Sequence, residues 1–339
     1  MNTSIVQVFI NWNEYRNSID SLINARKNNP SSWPIIIIDN HSSDDSVEHI
    51  LSFISSDSYL KRSAPEVHDR IGIYRIRAHV FKGNGEIVLI ESSQNLGVSG
   101  AWNLAIEWAK KYYGFDYIFI FDNESRLNPK TIPCCLSLAQ SLKIGLVGCL
   151  VKNADESIQF MGKSFYKNIF YIDVLLPHNN APSPRGYWDV DLISGCGMLI
   201  SKELLDQLLR SRGFYFDPDY FYLAEDQEFS LASKELGYRV IITKDAFVHH
   251  TTNRKKVGLS TAYYYSSRNR AYLANSYLPL HLKTLFHVYY PIYRISRALF
   301  HIFKGDALVG VSHIHGLIDA YLKKRGPLIV SKKEKDYIS

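Results

Sequence analysis

The run Tyr117-Ile118-Phe119-Ile120-Phe121-Asp122-Asn123-Glu124 sets two carboxylates two residues apart just where an apolar stretch ends. A turning backbone with that spacing can aim both at one oxygen-preferring cation. Mg²⁺ and Mn²⁺ are commonly held by one or two carboxylates plus substrate phosphates, and such an ion offsets diphosphate charge and helps it leave. A second acidic pair, Glu225 and Asp226, opens a helical pattern over 225–237 that stops at Gly237. The helix dipole favours acids there on its own account. It does not account for the aromatic run in front of them, Phe214, Tyr215, Phe216, Tyr220, Phe221 and Tyr222. Aromatic faces beside carboxylates suit a sugar ring, which is apolar on its C–H side and hydroxylated at its rim. His249 and His250 follow a strand pattern over 238–248 and offer a late metal or phosphate contact. The stretch Tyr263-Tyr264-Tyr265-Ser266-Ser267-Arg268-Asn269-Arg270 carries two guanidiniums on a helical pattern, of which Arg268 is the candidate phosphate partner.

These residues need a scaffold, and the hydrophobic pattern supplies one. Residues 4–10 and 33–38 are β-branched apolar runs closed by Asn11 and by Asp39-Asn40, with a helical pattern between them. The alternation continues with a helix near 45–54, a strand at 87–90, a helix over 99–112 and the strand at 117–121. Strands alternating with helices predict a largely parallel sheet covered on both faces, and in such sheets ligands gather outside the carboxyl ends of the strands. Four of those ends are polar: Asn11-Trp12-Asn13, Asp39-Asn40, Glu91 leading to Asn95, and Asp122-Asn123-Glu124. Helix capping or turn chemistry explains any one of them, but their coincidence marks one edge of the sheet. Elsewhere, 55–85 reads as a loop and a hairpin at the Gly-Asn-Gly of 83–85. The stretch 159–189 is an aromatic, Pro- and Asn-rich excursion. Residues 192–200 read as a buried strand with close backbone approach, followed by a helix over 201–210.

A chain of 339 residues with 46% hydrophobic and 21% charged residues has ample material for a core, which excludes a disordered or fibrous protein. The four cysteines, Cys134, Cys135, Cys149 and Cys196, show no C-x-x-C spacing. They read as buried small apolar residues in a reducing compartment, not as a structural zinc site. The opening MNTSIVQVFINWNEY lacks the basic start, apolar block and small-residue cleavage site of a secretion signal. No RNA- or DNA-binding module accompanies the basic and aromatic residues of 263–270, so nucleic acid is not an expected partner.

Taken in order, F-I-N-W-N-E, I-I-I-I-D-N-H-S-S-D-D-S, N-L-G-V-S-G-A-W-N-L-A, F-D-N-E-S-R-L-N-P, G-C-G-M-L-I and A-E-D-Q-E-F-S-L-A-S-K-E-L-G-Y-R-V resemble the family 2 glycosyltransferases of GT-A fold. With H-H and Y-Y-Y-S-S-R-N-R following, the resemblance extends to the rhamnosyltransferase-like branch of bacterial surface-polysaccharide synthesis, over roughly 4–275. It implies an α/β, Rossmann-like, mostly parallel sheet with helices on both faces and a helical C-terminal extension. It places Asp39 where the family binds the nucleotide base, with Asn11 and Asn13 lining the same pocket and Asn95 following the third strand. Asp122 and Glu124 fall on the family's D-x-D metal motif, Asp226 on the general base of its E-D motif, and His250, in preference to His249, on its V-x-H position. Glu in place of Asp at 124 departs from the motif.

The resulting expectation is a GT-A catalytic domain over 1–275, with a nucleotide-sugar half to about 125 and an acceptor half beyond, then a helical, amphipathic, basic region over 276–339. The reaction is an inverting, Mg²⁺- or Mn²⁺-dependent transfer of rhamnose or a related deoxysugar. The donor is a nucleoside-diphosphate sugar, dTDP-rhamnose being favoured over a UDP-sugar, and the acceptor a glycan or lipid-linked glycan. A sugar nucleotidyltransferase is the enzymatic rival, but N-W-N-E-Y-R after the first strand supplies no Gly-rich loop. A glycosidase needs no nucleotide pocket, and the non-enzymatic rival is a glycan-binding protein on a transferase scaffold. From Leu280 onward ten Lys/Arg face four acids, a surplus equal to the +6 of the whole chain. In the same region Leu285, Val288, Tyr289, Ile292, Ile295, Leu299 and Ile302 recur at steps of three and four, apart from Arg294, Arg297 and Lys304, with a kink or restart at Pro291. Packing on the catalytic domain or on a second copy in a homodimer is one reading, but the basic surplus favours a cytoplasmic protein bound peripherally to the anionic inner face of the plasma membrane.

Overall fold

The computed structural model describes residues 3–29, 31–63, 67–83, 85–172, 186–251 and 258–328. At its centre, β1 (Ile5–Asn11), β2 (Ile35–Asp39), β6 (Gly85–Ser92) and β7 (Tyr117–Phe121) run parallel in the order β6-β2-β1-β7. The direction of winding reverses at β1, and a crevice opens at such a point. All five β2 residues are buried, and the parity of the strand divides them: Ile36 and Ile38 enter one core, Ile35 and Ile37 the other. On one face lies the helix Gly97–Tyr112, and on the other the helices Tyr15–Lys27, Ser46–Ser55 and Thr131–Leu142. This is the α/β sheet with both faces covered that the pattern predicts.

Antiparallel strands extend the sheet on both sides. β3 (Lys61–Arg62), β4 (Val67–Ile71) and β5 (Tyr74–Gly83) add beyond β6, so the stretch read as a loop and a hairpin is mostly strand. The turn does fall at Gly83 and Gly85, which pair. β5 alternates between exposed and buried positions, and its polar outward residues hide it from a search for apolar runs. Past β7 the order is β12 (Gly197–Ser201), β9 (Leu146–Lys152) and β13 (Val240–His250). β12 is shorter than the strand expected over 192–200, because residues 192–196 leave the ladder to serve the site below. The excursion contains β10 (Ile158–Phe160), a short helix Phe165–Ile169 and β11 (Tyr187–Asp189), and residues 173–185 lie outside the described part.

A third core joins the excursion to the C-terminal helices Leu259–Tyr277, Leu280–Phe303 and Ala307–Tyr321. The boundary expected at 275 falls in the last turn of the first of these. Gly316 sits where a Cβ would meet the Tyr264 carbonyl at 2.2 Å, so the first and third helices touch backbone to backbone. Pro291 lies inside an unbroken helix. That helix keeps the expected apolar stripe on one side and sets Arg294 on the other. Its buried side is Phe286, Tyr290, Arg294 and Ala298, whereas Leu285, Val288, Ile292, Ile295, Leu299 and Ile302 are exposed. Arg294 is buried because its guanidinium is fully engaged: Nε donates to Tyr290 Oη (2.8 Å), and the Nη atoms reach Tyr171 Oη (2.7 Å), the Ser266 carbonyl (3.0 Å) and His313 Nδ1 (3.1 Å). Among the described residues no helix is long and apolar enough to cross a membrane.

Candidate active site

Strand register brings three separate pieces of sequence to one point. β12 runs antiparallel to β7 with Gly197 opposite Phe121, so the next positions outward, Cys196 and Asp122, leave the sheet side by side. β13 ends against β8 (Ser125–Leu127) with His250 opposite Ser125, and the Thr251 amide donates to the Glu124 carbonyl at 3.3 Å. Ser125 Oγ donates to the Cys196 carbonyl (3.0 Å), closing the corner. His250 Nε2 consequently lies 3.6 Å from Asp122 Oδ2 and 3.9 Å from Glu124 Oε2. Ligand atoms of Asp122, Cys196 and His250 all lie within 4.8 Å of one another. His249, on the other face of the strand, pairs instead with exposed Glu156 at 2.6 Å.

The electrostatics of this corner suit a cation. His250 Nε2 is buried without a hydrogen-bond partner, although two carboxylates face it. Its Nδ1 lies 3.0 Å from Gln159 Oε1, an acceptor that fixes an N–H on Nδ1 and leaves Nε2 turned toward Asp122. Burial opposes charge on His250, but Asp122 and Cys196 outweigh it and the imidazole is pushed up to about 10. Burial likewise opposes ionisation of Asp122, yet His250 and the Glu124 and Asn123 amides hold its carboxyl below the usual range. An orphaned ring nitrogen facing two carboxylates is the donor set that a divalent ion satisfies.

The acidic pair sits across a cleft of about 540 Å³ whose walls include Trp12, Trp102, Asp122, Glu124, Cys196, Tyr222, Glu225, Asp226, His250 and Tyr263. Glu225 and Asp226 begin the helix Glu225–Glu235. Asp226 Oδ2 accepts from the Gly195 amide (3.0 Å) and Oδ1 from the Gln227 amide (2.7 Å). Burial raises the affinity of both carboxyls for a proton, and Asp226 drives buried Glu225 further upward. Two backbone amides thus fix the Asp226 carboxylate at the start of the helix, beside the buried Glu225. Tyr222 feels both acid clusters: burial, then Glu225, Asp122 and Glu124, push its phenol up to about 12.

The loop ahead of this helix is strained. Phe221, Leu223 and Ala224 all have positive φ, at 51°, 65° and 70°, a conformation that costs each non-glycine residue of order 1 kcal/mol or more. It persists because Asn269 Nδ2 donates to the carbonyls of Tyr220 (2.8 Å), Tyr222 (2.9 Å) and Leu223 (2.7 Å). Arg268 belongs to the same clamp. Fully buried, it bonds Asn269 Oδ1 (3.0 Å) and the carbonyls of Asp219 (3.0 Å) and Gly326 (2.7 Å). The structure therefore takes Arg268 away from any phosphate, a correction to the expectation drawn from its charge.

At the ends of β1 and β2 the remaining expected residues form a single network. Asn11 Nδ2 donates to Asp39 Oδ1 (2.7 Å), and Ser42 supplies Oγ to Oδ1 (2.6 Å) and its amide to Oδ2 (3.0 Å). Burial raises the Asp39 carboxyl despite these bonds. Asn13, in the left-handed region, accepts from the Ser43 amide (2.7 Å). Asn95 Oδ1 accepts from Asn40 Nδ2 (3.1 Å) and from the Gly97 amide (2.9 Å), tying the third strand end to the second. Sequence reasoning missed Asn40, Ser42, Cys196 and Asn269. The polar strand ends pointed toward Asn40 and Ser42, while nothing local marks the other two.

A crevice at the reversal point of a mostly parallel sheet, with a carboxylate–imidazole corner at its edge, defines the class as a GT-A α/β transferase. Residues 77–274, more than half of the chain, match the family described as glycosyltransferase like family 2, and the chain belongs to that family. Among solved structures it is similar to a mannosyltransferase of Pyrobaculum calidifontis in complex with GDP-Man and Mn²⁺ (TM-score 0.59, 14% identity, 96% of this chain and 88% of that one). It is also similar to TarS of S. aureus in complex with UDP-GlcNAc (TM-score 0.47, 13% identity, 84% of this chain and 70% of that one). No curated protein matches the sequence.

Proposed function

We propose that the chain is an inverting glycosyltransferase that uses a nucleoside-diphosphate sugar, with Asp226 as general base and a cation site at Asp122, Glu124 and His250. One observation carries the reading: a single cleft holds the carboxylate–imidazole corner and, across it, the acidic pair Glu225 and Asp226, with Asp226 fixed by two backbone amides. Asp226 accepts the proton of the acceptor hydroxyl as the hydroxyl oxygen attacks the anomeric carbon, and the Gly195 and Gln227 amides hold the carboxylate in place. Trp12, Trp102 and Tyr222 offer faces to sugar rings and keep water from the anomeric centre. A divalent ion, Mg²⁺ or Mn²⁺, would offset the charge developing on the departing diphosphate; the Mn²⁺ and GDP-Man of the similar mannosyltransferase support both calls. The network of Asn11, Asn13, Asp39 and Asn95 is assigned to the nucleotide side.

The favoured donor is a dTDP-linked deoxysugar such as rhamnose, with a UDP-sugar second, and the acceptor a lipid-linked or growing glycan of the bacterial surface. Work at the cytoplasmic face of the membrane is supported by the exposed apolar side of the helix Leu280–Phe303 and by the +6 surplus from Leu280 onward. Arg297 and Lys304 flank that side, each over the Phe300 ring. Calorimetry with dTDP and UDP, with and without Mn²⁺, followed by a screen of nucleotide-sugars for diphosphate release, tests the assignment. A protein that binds neither nucleotide is a glycan binder and not this enzyme.

A further inference from the structure

Cys196 has the composition-level reading of a small apolar filler, yet its sulfur stands at the cation corner. We propose that Cys196 Sγ is an additional ligand position of this site, so that the site takes a thiophilic divalent ion, Zn²⁺ or Cd²⁺, in competition with the hard ion of the transfer reaction. The inference rests on the function proposed above in taking Asp122 and His250 as cation donors.

Three observations carry it. The sulfur is placed by sheet register and not by a free loop: Gly197 opposite Phe121 sets Cys196 beside Asp122, and Ser125 Oγ fixes the Cys196 carbonyl at 3.0 Å. The donors are close enough, within 4.8 Å of one another, whereas bonds of about 2.0–2.3 Å in a tetrahedral site set such donors roughly 3.5 Å apart. The His250–Asp122 pair already stands at 3.6 Å, and side-chain rotation within the group covers the remainder. The third donor is available, since buried His250 Nε2 has no hydrogen-bond partner and Gln159 occupies the other ring nitrogen.

Nitrogen, sulfur and one carboxylate oxygen with a fourth position for water form a mixed set that suits zinc, while Mg²⁺ takes oxygen ligands. Two overlapping sets therefore share Asp122 and His250: Glu124 completes the hard one and Cys196 the soft one. On soft-ion binding the Sγ–H bond gives its proton to solvent, the sulfur lone pair forms the metal bond, and no electron is transferred.

The test is titration of Co²⁺ and Cd²⁺ into the metal-free full chain, watched for the sulfur-to-metal charge-transfer band. Cys196→Ser and Cys149→Ser serve as variants, and Mn²⁺ affinity is measured in parallel by electron paramagnetic resonance. Expected are a band in the parent and in Cys149→Ser, its loss in Cys196→Ser, and a fall in Cd²⁺ affinity of about tenfold or more with Mn²⁺ affinity held within about twofold. A band that survives Cys196→Ser, or Co²⁺ bound without one, overturns the assignment while leaving the hard-ion site standing. Failure of every divalent ion to bind overturns both.

Discussion

The Gly195 amide donates to Oδ2 of Asp226 at 3.0 Å, and the following residue, Cys196, stands at the Asp122–His250 corner. One peptide unit thus ties Asp226 to that corner. Gly195 also has no room for a side chain, because a Cβ would meet Trp102 Cη2 at 2.5 Å. Gly195→Ala must move either the indole or the loop, and the expected result is loss of transfer with little loss of fold. Circular dichroism beside a turnover assay checks this; an active Gly195→Ala enzyme would show that the loop tolerates displacement.

Asp226→Asn keeps the shape and one acceptor oxygen but removes the base. Transfer should fall by about 10²–10⁴-fold, with nucleotide affinity unchanged by calorimetry. Turnover at the parent rate would take Asp226 out of the base role. With Asp226 as the proposed base, the acid limb of the rate profile is expected above the ordinary aspartate value of about 3.9, because burial raises its carboxyl.

Asn269→Ala leaves three carbonyls of the strained 220–223 loop without their donor. A stability loss of about 1–3 kcal/mol and a reduced kcat at nearly constant donor affinity are expected. Denaturant melts and steady-state kinetics read the two separately, and a kcat equal to the parent's would make the clamp purely structural.

His313 is buried and accepts from the Arg294 guanidinium at Nδ1. Burial and that neighbouring charge push it down to about 3, against roughly 6.5 in the unfolded chain. The folded state therefore binds the proton less well than the unfolded state. The stabilisation is complete above about pH 6.5 and is lost as pH falls toward 3, at about 1.4 kcal/mol per pH unit. Melting of the parent should steepen over that window, and His313→Gln, whose amide oxygen can still accept from Arg294, should flatten it.

The membrane assignment is best tested on the surface. Replacing Leu285, Val288 and Ile292 by Ser, all more than half exposed, should abolish co-sedimentation with anionic liposomes at low salt without lowering the melting temperature. Binding in the parent should weaken at high salt as screening removes the charge attraction. Equal sedimentation of the triple variant would assign the apolar side another role.

The parallel half of the sheet was legible because buried strands of β-branched residues end visibly in Asn11, Asp39 and Asp122, and the four strand ends are local features of sequence. His250 was preferred to His249 on the family motif alone, and it is His250 that faces Asp122. Cys196 was not legible, since its place depends on an antiparallel pairing with a strand some seventy-five residues earlier. Arg268 and Arg294 misled for one reason: charge reads as exposure, whereas here tyrosine hydroxyls, backbone carbonyls and neighbouring side chains satisfy both guanidiniums inside the protein. In the helix Leu280–Phe303 the larger apolar stripe faces outward, and the aromatic stripe that carries Arg294 faces in.

The bonds at Asp219 have a consequence for engineering. Its carbonyl accepts from both the Gly326 amide (3.2 Å) and Arg268 (3.0 Å), its carboxylate pairs with Arg325 (2.6 Å), and Arg268 in turn holds the Gly326 carbonyl. The segment after the last helix is thereby stitched to the turn that leads toward Asp226. The C-terminal helices are not an interchangeable cassette, and a chimera that exchanges them must carry the Arg325–Gly326 stitch with it or lose the posture of Asp226.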